Sequence, residues 1–180
     1  LYTVNRPGNR PSHEGAADWM NKAVALVRRG GFQRVRLRGD TDFSLTANFD
    51  GWTKDGVRFA FGMDARRNLV EIAESLETTA WKPLERKVPD AGEGTPRARR
   101  ENVKERIVVE NGYKNIRLKS EDVAEVSYRP TKCEGDYRLI ILRKNLSVER
   151  GENVLFPEIR YHFYITNIDG QEMLTDAVVF

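Results

Sequence analysis

The chain has 180 residues, 39% hydrophobic and 32% charged, enough apolar material for one core and for one ordinary domain or a domain with an insertion. Thirty Lys and Arg against 27 Asp and Glu leave a net charge of +3, too mild by itself to demand a nucleic-acid partner. The one cysteine, Cys133, excludes an internal disulfide and a Cys-rich zinc site and reads as an ordinary thiol in a turn of a protein from a reducing cytoplasm. No apolar run approaches the roughly 18 residues of a spanning helix, and no segment reads as a signal peptide, so no membrane partner is expected.

In chain order, Leu1–Val4 is strand-like, and a loop rich in Pro and Gly follows up to Ser12, a plausible helix N-cap. Ala16, Met20, Ala23, Val24 and Val27 recur at helical spacing, and Gly30-Gly31 closes that helix. Gln33–Arg38 alternates as a strand. A short helix over Leu45–Lys54 carries Leu45, Phe49 and Trp52 on one face, and Val57–Met63 alternates again. Strand, helix, strand, helix, strand with short connections predicts an α/β fold.

The pattern then changes. Asn68–Thr78 predicts a helix on Leu69, Ile72, Ala73 and Leu76, and 83–100 reads as loop. Strand character returns at Glu105–Val109, Val123–Tyr128, Tyr137–Leu142 and Arg160–Thr166, while Tyr113–Leu118 fits strand or loop. This β-rich stretch shows no α/β alternation and reads as an insertion or second subdomain. The expected division is a core over 1–68, a β-rich unit over 69–167, and a return to the core over 168–180. Both ends look cut from a longer protein.

The candidate chemistry lies at Asp40, where a strand ending in Gly39 meets a carboxylate. In α/β sheets, ligands and metals gather at the carboxyl ends of strands. The plainer reading of a strand-end Asp is a helix N-cap. Arg34, Arg36 and Arg38 share a strand face, which is either solvent-covered or close to a DNA backbone. Arg97, Arg99, Arg100, Lys104 and Arg106 make a basic stretch whose plain reading is a solvated loop. His13 and His162 read as surface or packing residues. Ser12 and Ser44 lack a nearby His–Asp partner, which leaves nucleophilic hydrolysis without support. Trp19, Trp52 and Trp81 read as core before base-stacking residues. Asp40-Thr41-Asp42 also matches the Asp-x-Asp of nucleotide-sugar transferases, with nothing else to accompany it.

Four segments together carry a resemblance. They are Asn5-Arg6-Pro7-Gly8-Asn9, Leu37-Arg38-Gly39-Asp40-Thr41-Asp42-Phe43, Phe61-Gly62-Met63-Asp64-Ala65-Arg66-Arg67-Asn68 and Tyr164-Ile165-Thr166-Asn167. Their order resembles the DDE transposases of bacterial insertion sequences, in the branch with a β-rich insertion in the catalytic domain. The resemblance implies a partial RNase H-like core whose three acids hold two Mg²⁺ ions for strand cleavage and transfer. Asp40 falls on the middle acid, so it is the expected catalytic and metal-binding residue. Members usually have a small residue, often Gly, where this chain has Asp42, which leaves a second carboxylate beside the site and metal binding by Asp42 open. By the same resemblance the first Asp lies on a strand before Leu1 and the last Glu on a helix that Val178-Val179-Phe180 begin. DNA is the implied partner, engaged by a homodimer assembled on it in a bacterial cytoplasm. Arg38, Arg66 and Arg67 are the expected DNA contacts, the last two provided that the strands are parallel. The rival reading is a non-catalytic DNA- or protein-binding remnant of such an enzyme.

Overall fold

A computed structural model describes residues 5, 7–11, 13–85, 116–117, 119–146, 148–149, 152–153 and 158–179. The helices are α1 (Ala16–Arg29), α2 (Phe49–Lys54), α3 (Arg67–Ser75) and the short α4 (Thr175–Val178). The strands are β1 (Arg36–Gly39), β2 (Arg58–Met63), β3 (Lys82–Pro83), β4 (Ile116–Arg117), β5 (Ser120–Tyr128), β6 (Tyr137–Asn145), β7 (Val148–Glu149), β8 (Glu152–Asn153) and β9 (Ile159–Thr166). The molecule is a mixed α/β structure built on a six-stranded sheet of order β1-β2-β9-β6-β5-β3. β1 and β2 run parallel, and the remaining pairs are antiparallel. β4, β7 and β8 make a small separate sheet. No helix among the described residues is long and apolar enough to cross a membrane.

The sequence-based division into spatially separate units is not what the described strands do. β9 pairs with β2 (Ala60↔Thr166, Phe61↔Ile165) and β6 pairs with β9, so the β-rich stretch extends the sheet that holds β1 and β2. The physical reason is that β2 is apolar on both sides, with Phe59, Ala60 and Phe61 all buried. Such a strand belongs inside a sheet and needs a neighbour on each edge. Thr166 and Asn167 complete the join. The Thr166 hydroxyl donates to the Phe59 carbonyl at 2.5 Å, and Asn167 accepts from the Phe59 N–H at 2.8 Å and donates to the Val57 carbonyl at 2.9 Å.

One sheet face carries the main core. Phe49, Trp52, Phe59, Phe61 and Tyr137 form an aromatic cluster, with Phe49 stacked on Phe59 at 4.4 Å between ring centres, and Leu139, Ile141, Phe163 and Ile165 pack with it. α1, α2 and α3 all contribute buried side chains to that cluster. The expected helix over Leu45–Lys54 is split, a 3-10 turn at Thr46–Asn48 preceding α2. α1 starts after Gly15, whose φ of 69° is left-handed, and Ser12 lies outside the described residues. Trp52 is core as expected, but Trp19 is 36% exposed with Lys22 over its ring, and Trp81 is half-buried under Arg143.

The opposite face is covered by 168–179. Arg138 anchors that segment by donating to the carbonyls of Ile168 at 2.6 Å and Met173 at 3.1 Å, while its other nitrogens hold Glu125. Val178 then packs on Ala60 and Ile140. The expected strands at Leu1–Val4 and Glu105–Val109 and the basic run from Arg97 to Arg106 lie outside the described residues.

Candidate functional site

Asp40 follows β1 directly and caps a 3-10 turn at Thr41–Phe43, its Oδ1 accepting the Asp42 N–H at 3.1 Å. Two glycines make this placement feasible. A Cβ on Gly39 would stand 2.9 Å from the Phe43 Cβ, and one on Gly62 would stand 3.0 Å from the Thr41 nitrogen and 3.2 Å from the Asp40 carbonyl carbon. With hydrogens at both positions, the Asp40–Thr41 backbone lies against β2. The exposed carboxylate of Asp40 therefore sits over the end of the parallel pair.

Asp64 follows the end of β2 as Asp40 follows β1. Both line an open cleft of about 660 Å³ that also includes Arg38, Gly62, Tyr164 and Val178. Asp64 was not among the expected site residues, although the sequence offered the same signal for it, an alternating strand running through a glycine into a carboxylate. Asp42 does not line this cleft. Arg38 reaches in from β1, its Nη2 3.5 Å from the Val178 carbonyl oxygen. His162 borders the same cleft, and partial loss of water, then Lys144 and Arg160, hold its imidazole below the ordinary value.

Arg66 and Arg67 stand at the same end of the sheet as Asp40, because β1 and β2 are parallel. Arg66 lies 4.0 Å from Asp64, and Arg67 is paired with Glu71 at 2.8 Å one helical turn on. Both side chains are largely exposed. Arg34 precedes β1 rather than belonging to it, while Arg36 and Arg38 occupy one strand face as expected.

Among the described residues no group of three or more His, Cys, Asp or Glu is arranged to hold a metal ion. Asp40 and Asp64 are hard-oxygen donors suited to Mg²⁺, so the donor set fits in kind and is short in number.

A second cluster is structural. Asp50 of α2 accepts the Tyr137 hydroxyl at 2.6 Å and the N–H groups of Glu134 at 2.7 Å and Gly135 at 3.2 Å. The Tyr137 hydrogen bond first, then that of Glu134, hold the Asp50 carboxyl below the usual carboxylate range. Cys133 is buried in the same turn and donates to the Thr46 carbonyl at 3.2 Å, and burial pushes its thiol up to about 11. It is an inert turn thiol. The cluster fastens the β5–β6 turn to α2. No family model, curated protein or solved structure matches the chain.

Proposed function

We propose that this chain is the part of a DDE-type transposase catalytic domain, RNase H-like in its core, that supplies the middle acid, Asp40, for cleavage and transfer of DNA strands. The observation that carries the reading is the position of Asp40. It stands at the carboxyl end of one of two parallel strands, in an open cleft beside Asp64, on backbone that Gly39 and Gly62 allow to lie against β2. The four-segment resemblance supports it.

Asp40 would hold Mg²⁺, with Asp64 a second carboxylate lining the same cleft. When bound, such ions lower the pKa of the attacking water and offset charge on the leaving oxygen. The chain's own work is to hold a carboxylate at a fixed point and to place Arg38, Arg66 and Arg67 around the cleft, where guanidinium groups can meet phosphates. The remaining acids and a homodimer assembled on DNA belong to the same proposal.

In the full reading frame, Asp40→Asn should abolish most Mg²⁺-dependent cleavage of the element's own ends while the fold is kept. Near-parental cleavage would overturn the assignment, and Asp42→Asn should matter less. The 180-residue chain alone should neither cleave nor transfer strands with Mg²⁺ or Mn²⁺. In a second reading, a non-catalytic DNA- or protein-binding remnant, Asp40 keeps only its cap of the Asp42 N–H and the exposed Arg66 and Arg67 serve binding alone. Duplex binding together with cleavage that ignores Asp40 in the full frame would select it.

A further inference from the structure

A second charged site lies at the other end of the same two strands. Arg36 of β1 and Arg58 of β2 are in-register partners, so their side chains share a sheet face. Like charges placed directly opposite on neighbouring strands repel. Arg34 lies two residues before Arg36, and all three line an open cleft of about 620 Å³ at the amino ends of the strands. The cleft holds one acid. Glu172 reaches in from the segment crossing this face and lies 3.6 Å from Arg36 and 3.3 Å from Arg58. The three side chains are 42–48% exposed, so these pairs are loose and solvent-screened and contribute little to stability. Arg34 has no ion-pair partner among the described residues. Three guanidinium groups thus face one carboxylate, and Arg138 holds the segment down without Glu172.

We infer that Arg34, Arg36 and Arg58 form a binding site for the phosphodiester backbone of a nucleic acid, and that Glu172 is an internal stand-in anion which the phosphate displaces. Guanidinium groups suit this exchange, since they bind carboxylate and phosphate with the same forked geometry. Arg36 and Asp40 are four residues apart on an extended strand, roughly 13 Å. A duplex advances about 3.4 Å per base pair along its axis. A duplex whose axis runs along β1 would therefore be held by the arginines about four base pairs from Asp40. The inference deepens the proposed function and rests on DNA being the partner.

The test is fluorescence anisotropy of a short labelled DNA duplex titrated with the 180-residue chain over a range of salt. Arg36→Gln with Arg58→Gln should weaken binding ~10-fold and lower the salt slope by about two, one for each lost phosphate contact. Glu172→Gln should tighten binding several-fold, a gain that neither misfolding nor a merely solvated ion pair would produce. Unchanged affinity in Glu172→Gln, or parental binding in the double variant, would overturn the inference. So would displacement of the duplex by millimolar inorganic phosphate at constant ionic strength, which would make this a site for free phosphate. Loss of binding only in Arg66→Ala with Arg67→Ala would place the DNA at the other end of the strands and leave the proposed function standing. The predicted Glu172 and arginine effects, alongside Asp40-independent cleavage in the full frame, would retain this site and remove that function.

Discussion

At Asp40 a structural duty and a chemical one are superimposed, and two substitutions separate them. Asn keeps an acceptor for the Asp42 N–H, so Asp40→Asn should stay within about 0.5 kcal/mol of the parent in urea unfolding, while Asp40→Ala should cost about 1 kcal/mol. A purely structural residue would show its whole effect in Asp40→Ala and none in Asp40→Asn, in activity as in stability. Gly62→Ala should cost about 1–3 kcal/mol, because its methyl must displace backbone at Thr41 and Asp40. Thermal melting checks this. At Asp50 the sign follows from the lowered folded-state pKa. Its stabilisation is complete above the ordinary carboxylate range and is lost as pH falls through the lower folded value. Below about pH 4 the parent should therefore lose melting temperature, and Asp50→Asn should melt lower at pH 7 with a flatter acid limb. The position of Asp40 could be read from its strand-and-glycine context. Asp64 carries the same context, whereas Glu172 is not legible in the sequence, because its meaning depends on two arginines more than a hundred residues away.

At the scale of elements, β6 tests whether both sheet faces are covered. Leu139, Ile140, Ile141 and Leu142 are all buried, Leu139 and Ile141 against the aromatic core and Ile140 beneath Val178. Leu139→Ala and Ile140→Ala should each cost about 2–5 kcal/mol in urea unfolding. A cost below about 1 kcal/mol at Ile140 alone would show that 168–179 does not cover its face. This strand was legible because four apolar residues in a row, without alternation, signal burial on both sides. Its partners were not legible. Periodicity says that a segment is extended, but β9 finds β2 and β6 through contacts that no local window contains. The same limit turned a change from parallel to antiparallel pairing into an apparent subdomain boundary. Local turn chemistry also displaced the element ends, since β1 begins at Arg36 rather than Gln33.

For the whole molecule, a sheet continuous from β1 to β3 predicts cooperative unfolding. Two separate units would melt in two steps. Here the Asp50–Tyr137 cluster ties the β5–β6 turn to α2, and the sheet joins the same elements through β9. Tryptophan fluorescence, to which the buried Trp52 and the half-buried Trp81 both contribute, and far-ultraviolet circular dichroism should therefore report one coincident transition in urea. Two resolved transitions would restore the division near residue 68.

The two rims of the sheet are unequal in what they offer a further strand. β3, at one rim, is two residues long and carries Pro83, which has no N–H to offer a newcomer. β1 is the other rim, and among the described residues no strand lies beyond it. Of the two rims among the described residues, β1 and not β3 therefore has the full set of backbone N–H and C=O groups with which a further strand could pair. Such a strand would lie alongside Arg36 and Arg38, where acidic side chains are favoured over basic ones.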